Sequence, residues 1–342
     1  MSHSVRVAVL GLALLGILSA PLGIRAQNPA EIGEWGPIIN FPHVAVHLAL
    51  LHTGKVLFWA YNEVAVSLWN PVTGQFTSVP NFESNMFCSG HAFLPDGRFL
   101  VAGGHIHNNT GLPDTNIFDP ETETWTQVAD MAAGRWYPTC TALPDGRILV
   151  TTGDTTPDTR AVIPEVYEVE SDAWKPLTEA EKYLPLFAFQ FLLPDGLIFN
   201  GGPWNETYTL DVDAQEWAFV GNSGLGGGSG AMYRPGKIMK SGGGYPAVAG
   251  ARMIDMNAAN PQWQVVSSMA FARRNHNATV LPDGRVLVVG GTVSDDEPQF
   301  AVYEAEMWDP DTQSFTTMAE MTHPRMYHST SLVLPDARVL VA

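Results

Sequence analysis

A Leu-Pro-Asp-Gly phrase followed by a short apolar run recurs along the chain. It constrains the fold more tightly than any other feature. It reads Leu94-Pro95-Asp96-Gly97-Arg98, Leu143-Pro144-Asp145-Gly146-Arg147, Leu193-Pro194-Asp195-Gly196, Leu281-Pro282-Asp283-Gly284-Arg285 and Leu334-Pro335-Asp336-Ala337-Arg338. Weaker copies surround Gly54 and Gly236. The turn residue falls at 54, 97, 146, 196, 236, 284 and 337, at intervals of 43, 49, 50, 40, 48 and 53. Pro-Asp-Gly joins two antiparallel strands, because Gly supplies the positive φ and Asp bonds its own backbone two residues on. Pairs such as Gly103-Gly104, Gly201-Gly202 and Gly290-Gly291 end the second strand where backbones crowd. A third strand follows, as at Asn116–Asp119, and then a fourth carrying an aromatic: Trp125, Trp174, Trp217, Trp263 or Phe315. Those aromatics are expected to pack between units.

A period near 50 with a Gly-Gly pair is the kelch type of propeller repeat. The expected fold is all-β: a seven-bladed kelch-type β-propeller. Its last blade is incomplete and closed by an N-terminal strand, Glu34-Trp35-Gly36-Pro37-Ile38-Ile39-Asn40. An open ring would otherwise expose strand edges. The seventh unit stops at Ala342 after two strands, so the propeller, 27–342, reads as C-terminally truncated.

Composition excludes several partners. The formal charge is −17, from 18 Lys+Arg against 35 Asp+Glu. Nucleic acid is not expected, since phosphate binding needs clustered Lys and Arg. Residues 1–26 read as a signal peptide, with Arg6, an apolar run from Val7 to Leu18, and Ala26 before the cut. The run is too short for a comfortable membrane span, and no later segment is a candidate. A secreted, extracellular or periplasmic monomer is expected. Its two cysteines, Cys88 and Cys140, would by themselves form a disulfide in an oxidising compartment.

Fold alone does not give function. Three segments preceding the first strand of a unit carry reactive side chains: Asn85-Met86-Phe87-Cys88-Ser89-Gly90-His91, Gly134-Arg135-Trp136-Tyr137-Pro138-Thr139 and Pro324-Arg325-Met326-Tyr327-His328-Ser329. Equivalent places in a propeller lie on one face near the axis. His91 is expected to line a pocket there, and His276 to face the same centre. Arg135 and Arg325 are expected to brace their loops. Gly224–Gly230 lacks the Lys-Ser/Thr of a phosphate loop.

Together the three segments resemble the radical-copper oxidases typified by galactose oxidase and glyoxal oxidase. The resemblance implies that Cys88 forms a thioether to the Tyr137 ring, giving a redox-active tyrosyl ligand. It implies Tyr327 as axial ligand and proton acceptor, and His328 as an imidazole ligand. The catalytic set is then Cys88, Tyr137 and Tyr327, and the metal set Tyr137, Tyr327 and His328. The cofactors are copper and the Cys88–Tyr137 thioether radical. The implied reaction oxidises a primary alcohol, aldehyde or carbohydrate and reduces O2 to H2O2. Copper carries one electron, this oxidation needs two, and a phenol serves as the second store. Imidazole and oxygen donors suit Cu(II). The family's second His ligand comes from a β-sandwich domain after the propeller and has no counterpart here. The family's tryptophan over the thioether is not evident in Thr152-Gly153-Asp154-Thr155. The alternative reading is a non-catalytic propeller that binds glycan or protein through its loop face.

Overall fold

In the computed structural model, residues 28–61 and 65–342 are described. The expected signal peptide lies outside them. Six four-stranded antiparallel sheets span residues 47–78, 90–128, 139–176, 189–222, 229–266 and 277–320. A two-stranded hairpin, Ser331–Val333 with Val339–Val341, follows. The protein is an all-β kelch-type propeller with six complete blades. No strand forms over residues 33–46, so the expected N-terminal outer strand is not laddered to the hairpin.

The repeat phrase produces the turns. Asp96, Asp145, Asp283 and Asp336 each accept the backbone N–H two residues on and bind the following Arg Nε at 2.6–2.8 Å. Gly97 takes φ +87°, and Ala337 adopts φ +66° in the same place. The second strand of each blade is its most buried, as in Val56–Trp59, Phe99–Ala102, Ile148–Thr151 and Val286–Val289. Fourth strands such as Phe76–Ser78 face solvent.

The core is a succession of blade-to-blade interfaces. Leu57, Trp59 and Leu68 pack on Phe99, Val101 and Phe118. Leu100 and Ile117 pack on Ile148, Val150 and Tyr167. The fourth-strand indoles pin these interfaces as the sequence implied. Trp125 donates to Val79 O, Trp174 to Ala129 O, and Trp217 to Ala180 O, at 2.9–3.0 Å. Inner strands of successive blades lie side by side from Gly90–Phe93 round to Ser331–Val333, which also touches His47–Leu50. The terminal hairpin thus packs on blade 6 through Val339 and Val341 and on blade 1 through Leu334 and Leu340.

Blades 2 and 3 each carry an extra hairpin between their second and third strands: His105–His107 with Thr110–Gly111, and Asp154–Thr156 with Thr159–Arg160. They lie against each other, and Asn109 Nδ2 donates to Asp154 Oδ2 at 3.1 Å. The turn of the blade-2 hairpin, at Asn108 and Asn109, borders the cleft described next.

Candidate active site

Two phenols and an imidazole meet on the loop face. The hydroxyl of Tyr137 lies 2.5 Å from that of Tyr327 and 2.9 Å from His328 Nε2. Tyr137 is more than 180 positions from both partners in the chain, so the propeller alone joins them. Tyr327 and His328 stack, with ring centroids 3.9 Å apart. The three residues line a cleft of about 770 Å³ with His43, Tyr61, Phe87, Asn109 and Trp136.

The backbone explains how these groups are aimed. Cys88, Tyr137 and His328 all have left-handed φ, at 60°, 63° and 69°. Each stands nine positions before the turn residue of its unit, Gly97, Gly146 or Ala337. Phe187 and Asn275 occupy the same place in blades 4 and 6, with φ 45° and 54°. A non-glycine residue held there costs on the order of 1–3 kcal/mol, which the surrounding contacts must offset. The compensation is visible. Tyr137 N–H donates to Cys88 O at 2.8 Å, and Phe187 N–H donates to Tyr137 O at 3.0 Å.

Cys88 is buried in one cluster with Phe87 and Tyr137, flanked by Trp136 and Leu186. The Tyr137 ring is covered on both sides. Trp136 stacks at 3.8 Å with 9° between planes, and Phe187 at 4.3 Å with 24°. An indole cover therefore exists although Thr152–Thr155 supplies none, because it comes from the residue just before Tyr137. Sequence reasoning missed Trp136 and Phe187. The nine-position spacing would have found Phe187.

Burial sets the protonation of these donors. It raises the Tyr137 hydroxyl well above the usual phenol range, with the Cys88 and Tyr327 hydrogen bonds adding to it. It raises Tyr327 as well, partly opposed by the Tyr137 hydrogen bond. It pushes the Cys88 thiol up to about 12 and lowers His328. At neutral pH both phenols and the thiol keep their protons and the imidazole is neutral. Only a cation among these oxygens would favour phenolate.

Other expectations resolve differently. Cys88 and Cys140 are both free, so the disulfide reading is not realised in the structure. His91 does not line the cleft. It packs behind it against His47, Trp59 and Phe99, with centroids 5.6, 5.5 and 5.1 Å away. His276 is turned away and pairs with Ser241 Oγ at 3.1 Å. Arg135 braces its loop as expected, bonded to Thr152 O, Ile163 O and buried Glu165. Arg325 bonds Pro324 O at 3.0 Å. Among the described residues no three His, Cys, Asp or Glu side chains form a metal-sized cluster. The donor set here is instead mainly phenolic.

The family model described as Glyoxal oxidase N-terminus matches residues 230–342, and the Kelch motif model matches residues 92–132. A galactose oxidase of Gibberella zeae is 28% identical over 357 residues, covering 90% of this chain and 52% of its own. A structure described as a novel fungal alcohol oxidase of the AA5 family, in complex with copper, superposes with TM-score 0.79 and 27% identity. That match covers 90% of this chain and 72% of the other. The chain is thus similar, as a kelch-type propeller, to galactose oxidases and glyoxal oxidases. Aldehyde oxidase GLOX1 of Arabidopsis thaliana is 33% identical over 95 residues, 26% of this chain and 15% of its own. The chain spans about half the length of the galactose oxidase it matches. Among the described residues, no helix is long and apolar enough to cross a membrane.

Proposed function

We propose that this chain is the propeller portion of an exported copper-radical oxidase. Its substrate is a primary alcohol, aldehyde or carbohydrate, and O2 is reduced to H2O2. The observation that carries the reading is the meeting of the Tyr137 oxygen, the Tyr327 oxygen and His328 Nε2 within 2.5–2.9 Å. Two oxygens and one imidazole nitrogen suit Cu(II), and Tyr137, Tyr327 and His328 are the residues that would hold it. Copper, when bound, supplies a one-electron acceptor and favours phenolate.

The residues divide the remaining work. Cys88 and Tyr137 join by loss of the thiol hydrogen and one ring hydrogen, forming an S–C bond while O2 takes the two electrons and two protons. Tyr327 holds the proton from the substrate hydroxyl. The crosslinked Tyr137 radical takes a hydrogen atom from the substrate carbon. Trp136 and Phe187 keep water off the two faces of that ring. One turnover removes two electrons and two protons, the quantity that converts O2 to H2O2.

The test is copper loading of the mature chain in air. The expected product is about two hydrogens lighter, keeps that mass after thiol reduction, and releases peroxide with a primary alcohol or aldehyde. A chain that stays at its uncrosslinked mass and makes no peroxide sinks the reading. A second reading, a non-catalytic propeller that binds glycan or protein, is favoured by the single imidazole at the site. It predicts that same negative result together with glycan or protein binding lost in Tyr327→Ala.

The same proposal includes seven-blade closure. Trp35 Nε1 donates to Ala319 O at 2.9 Å, at the end of blade 6, as Trp125 and Trp174 do at the ends of blades 1 and 2. A cleft of about 780 Å³ lies between the Trp35 segment and the Val339–Val341 strand, where a third strand would sit.

A further inference from the structure

Trp136 and Tyr137 are neighbours in the chain, yet their rings lie parallel at 3.8 Å. Adjacent side chains on extended backbone point to opposite sides. The left-handed backbone at Tyr137 removes that alternation but does not itself hold the indole. The Trp136 backbone is clamped to Asp154, N–H to O in both directions, at 2.9 and 2.8 Å. Only the indole torsions remain free. The indole packs against the Cys88 and Tyr137 cluster, near the Cys88 thiol, and its N–H is directed by one bond: Trp136 Nε1 donates to His105 Nδ1 at 3.0 Å.

We propose that His105 is a positioning residue, which accepts the Trp136 indole N–H and thereby holds the indole face against the Tyr137 ring. His105 is built for this task. The residue is 6% exposed, and its ring is gripped edge-on by Tyr61 and Phe87 at 5.4 Å. Its backbone N–H donates to Asn85 O at 2.9 Å, in the Cys88 loop. Gly104 permits that approach, since a Cβ there would meet Asn85 O at 2.2 Å. A histidine whose Nδ1 accepts must be neutral with its proton on Nε2. Burial, with His107 beside it, favours the neutral ring.

The consequence for chemistry rests on the proposed function. A tyrosyl radical is electron-poor, and an indole whose N–H is hydrogen-bonded to nitrogen is a richer π-donor. Held in parallel, it lowers the potential at which the Tyr137 phenolate gives one electron to an inorganic one-electron oxidant.

The experiment uses the whole mature chain, metal-free, labelled with 5-fluorotryptophan for 19F NMR and with 15N-indole for exchange. The Trp136 resonances are assigned by their loss in Trp136→Phe. In His105→Leu the Trp136 line is expected to move, and its indole N–H to exchange roughly five- to tenfold faster, as loss of one hydrogen bond implies. In His105→Asn, whose Oδ1 sits near the place of Nδ1, line and protection are expected to return. An unmoved line in His105→Leu overturns the proposal, and so does failure of His105→Asn to restore it. If His105→Leu does not fold, the wild-type protein decides. Scalar coupling between Trp136 Nε1 and His105 Nδ1 supports the bond, and its absence overturns it. In copper-loaded protein the Tyr137 potential should rise in His105→Leu and stay unchanged in His105→Asn. If no radical forms even in the wild type while the 19F results hold, the oxidase reading fails and the positioning role stands.

Discussion

Glu165→Ala is expected to destabilise the protein by about 3–5 kcal/mol, because it leaves a buried guanidinium without its counter-charge. Arg135 is 1% exposed, and its Nη2 lies 2.8 Å from a Glu165 oxygen in a side chain 2% exposed. Burial works against the charge on Arg135, and Glu165 is the chief influence restoring it. The bonds from Arg135 to Thr152 O and Ile163 O, both 2.7 Å, survive the substitution, but neither supplies a negative charge. Glu165 also accepts the Ala132 N–H at 2.8 Å, and leaving that donor unsatisfied adds roughly 1 kcal/mol or more. Glu165→Gln keeps an acceptor and should cost about half as much. The assay is urea unfolding, with the loss read from the midpoint at constant slope. Blade 6 supplies an internal replicate. Arg273 and Glu306 are fully buried at 2.7 Å, and Glu306 accepts Ala270 N–H at 2.7 Å, so Glu306→Ala should behave alike. Losses below about 1 kcal/mol in both would refute the reasoning. So would an Arg135→Met/Glu165→Leu double variant as costly as the sum of its single changes, since paired groups should show coupling.

Three further outcomes follow from particular contacts. Gly111→Ala should displace the Tyr137 loop, because a Cβ there would fall 2.0 Å from Arg135 C and 2.1 Å from Trp136 N. The loss should exceed about 2 kcal/mol by urea unfolding, and copper-dependent crosslinking of Cys88 should fall with it. Lys240→Met should cost about 2–4 kcal/mol in the same assay, since Lys240 Nζ serves Pro203 O, Trp204 O, Leu225 O and Ser223 Oγ at 2.7–3.2 Å. A neutral result would mean water replaces the ammonium. Acid should weaken the fold through His276, whose pKa burial lowers from 6.5 to about 3. The unfolded chain binds this proton below about 6.5, and the folded chain resists it until about 3. Stability is therefore intact above 6.5 and falls by about 1.4 kcal/mol per pH unit below it. Urea midpoints between pH 7 and 4 check the slope, which should be shallower in His276→Gln.

The blades were legible in the sequence because their turns are chemical. Asp96 or Asp283 bonds its own loop, and the neighbouring glycine takes a φ few residues tolerate. The fourth-strand tryptophans were legible for a similar reason, as each repeats one contact with the preceding blade. The Glu34–Asn40 segment was expected to close the ring as an outer strand, yet it forms no strand; it reaches blade 6 through Trp35 and Ala319, a contact across 284 positions that no local pattern encodes. His91 misled because its short distance from Cys88 in sequence suggested a shared pocket. It is one step into the strand, and the alternation of a strand sends it to the packed side.

The deeper regularity is the residue nine places before each turn. Glycine would take the left-handed backbone there without penalty, yet five units carry Cys88, Tyr137, Phe187, Asn275 and His328. Strain kept at one repeat position, where a cheaper residue exists, points to a use for the side chain. Four of the five gather around one phenol: Cys88 packs against Tyr137, His328 bonds its hydroxyl at 2.9 Å, and Phe187 covers its ring. The fifth, Asn275, bonds Asp296 at 3.0 Å instead. Replacing each in turn by glycine should therefore split the set. Asn275→Gly should leave crosslinking and copper retention unchanged, while Cys88→Gly, Tyr137→Gly and His328→Gly should abolish one or both. Phe187→Gly should preserve crosslinking but shorten the life of the Tyr137 radical in absorption decay. A Tyr137→Gly chain that crosslinks as before, or an Asn275→Gly chain that loses copper, would separate the strained backbone from the chemistry it is argued to aim.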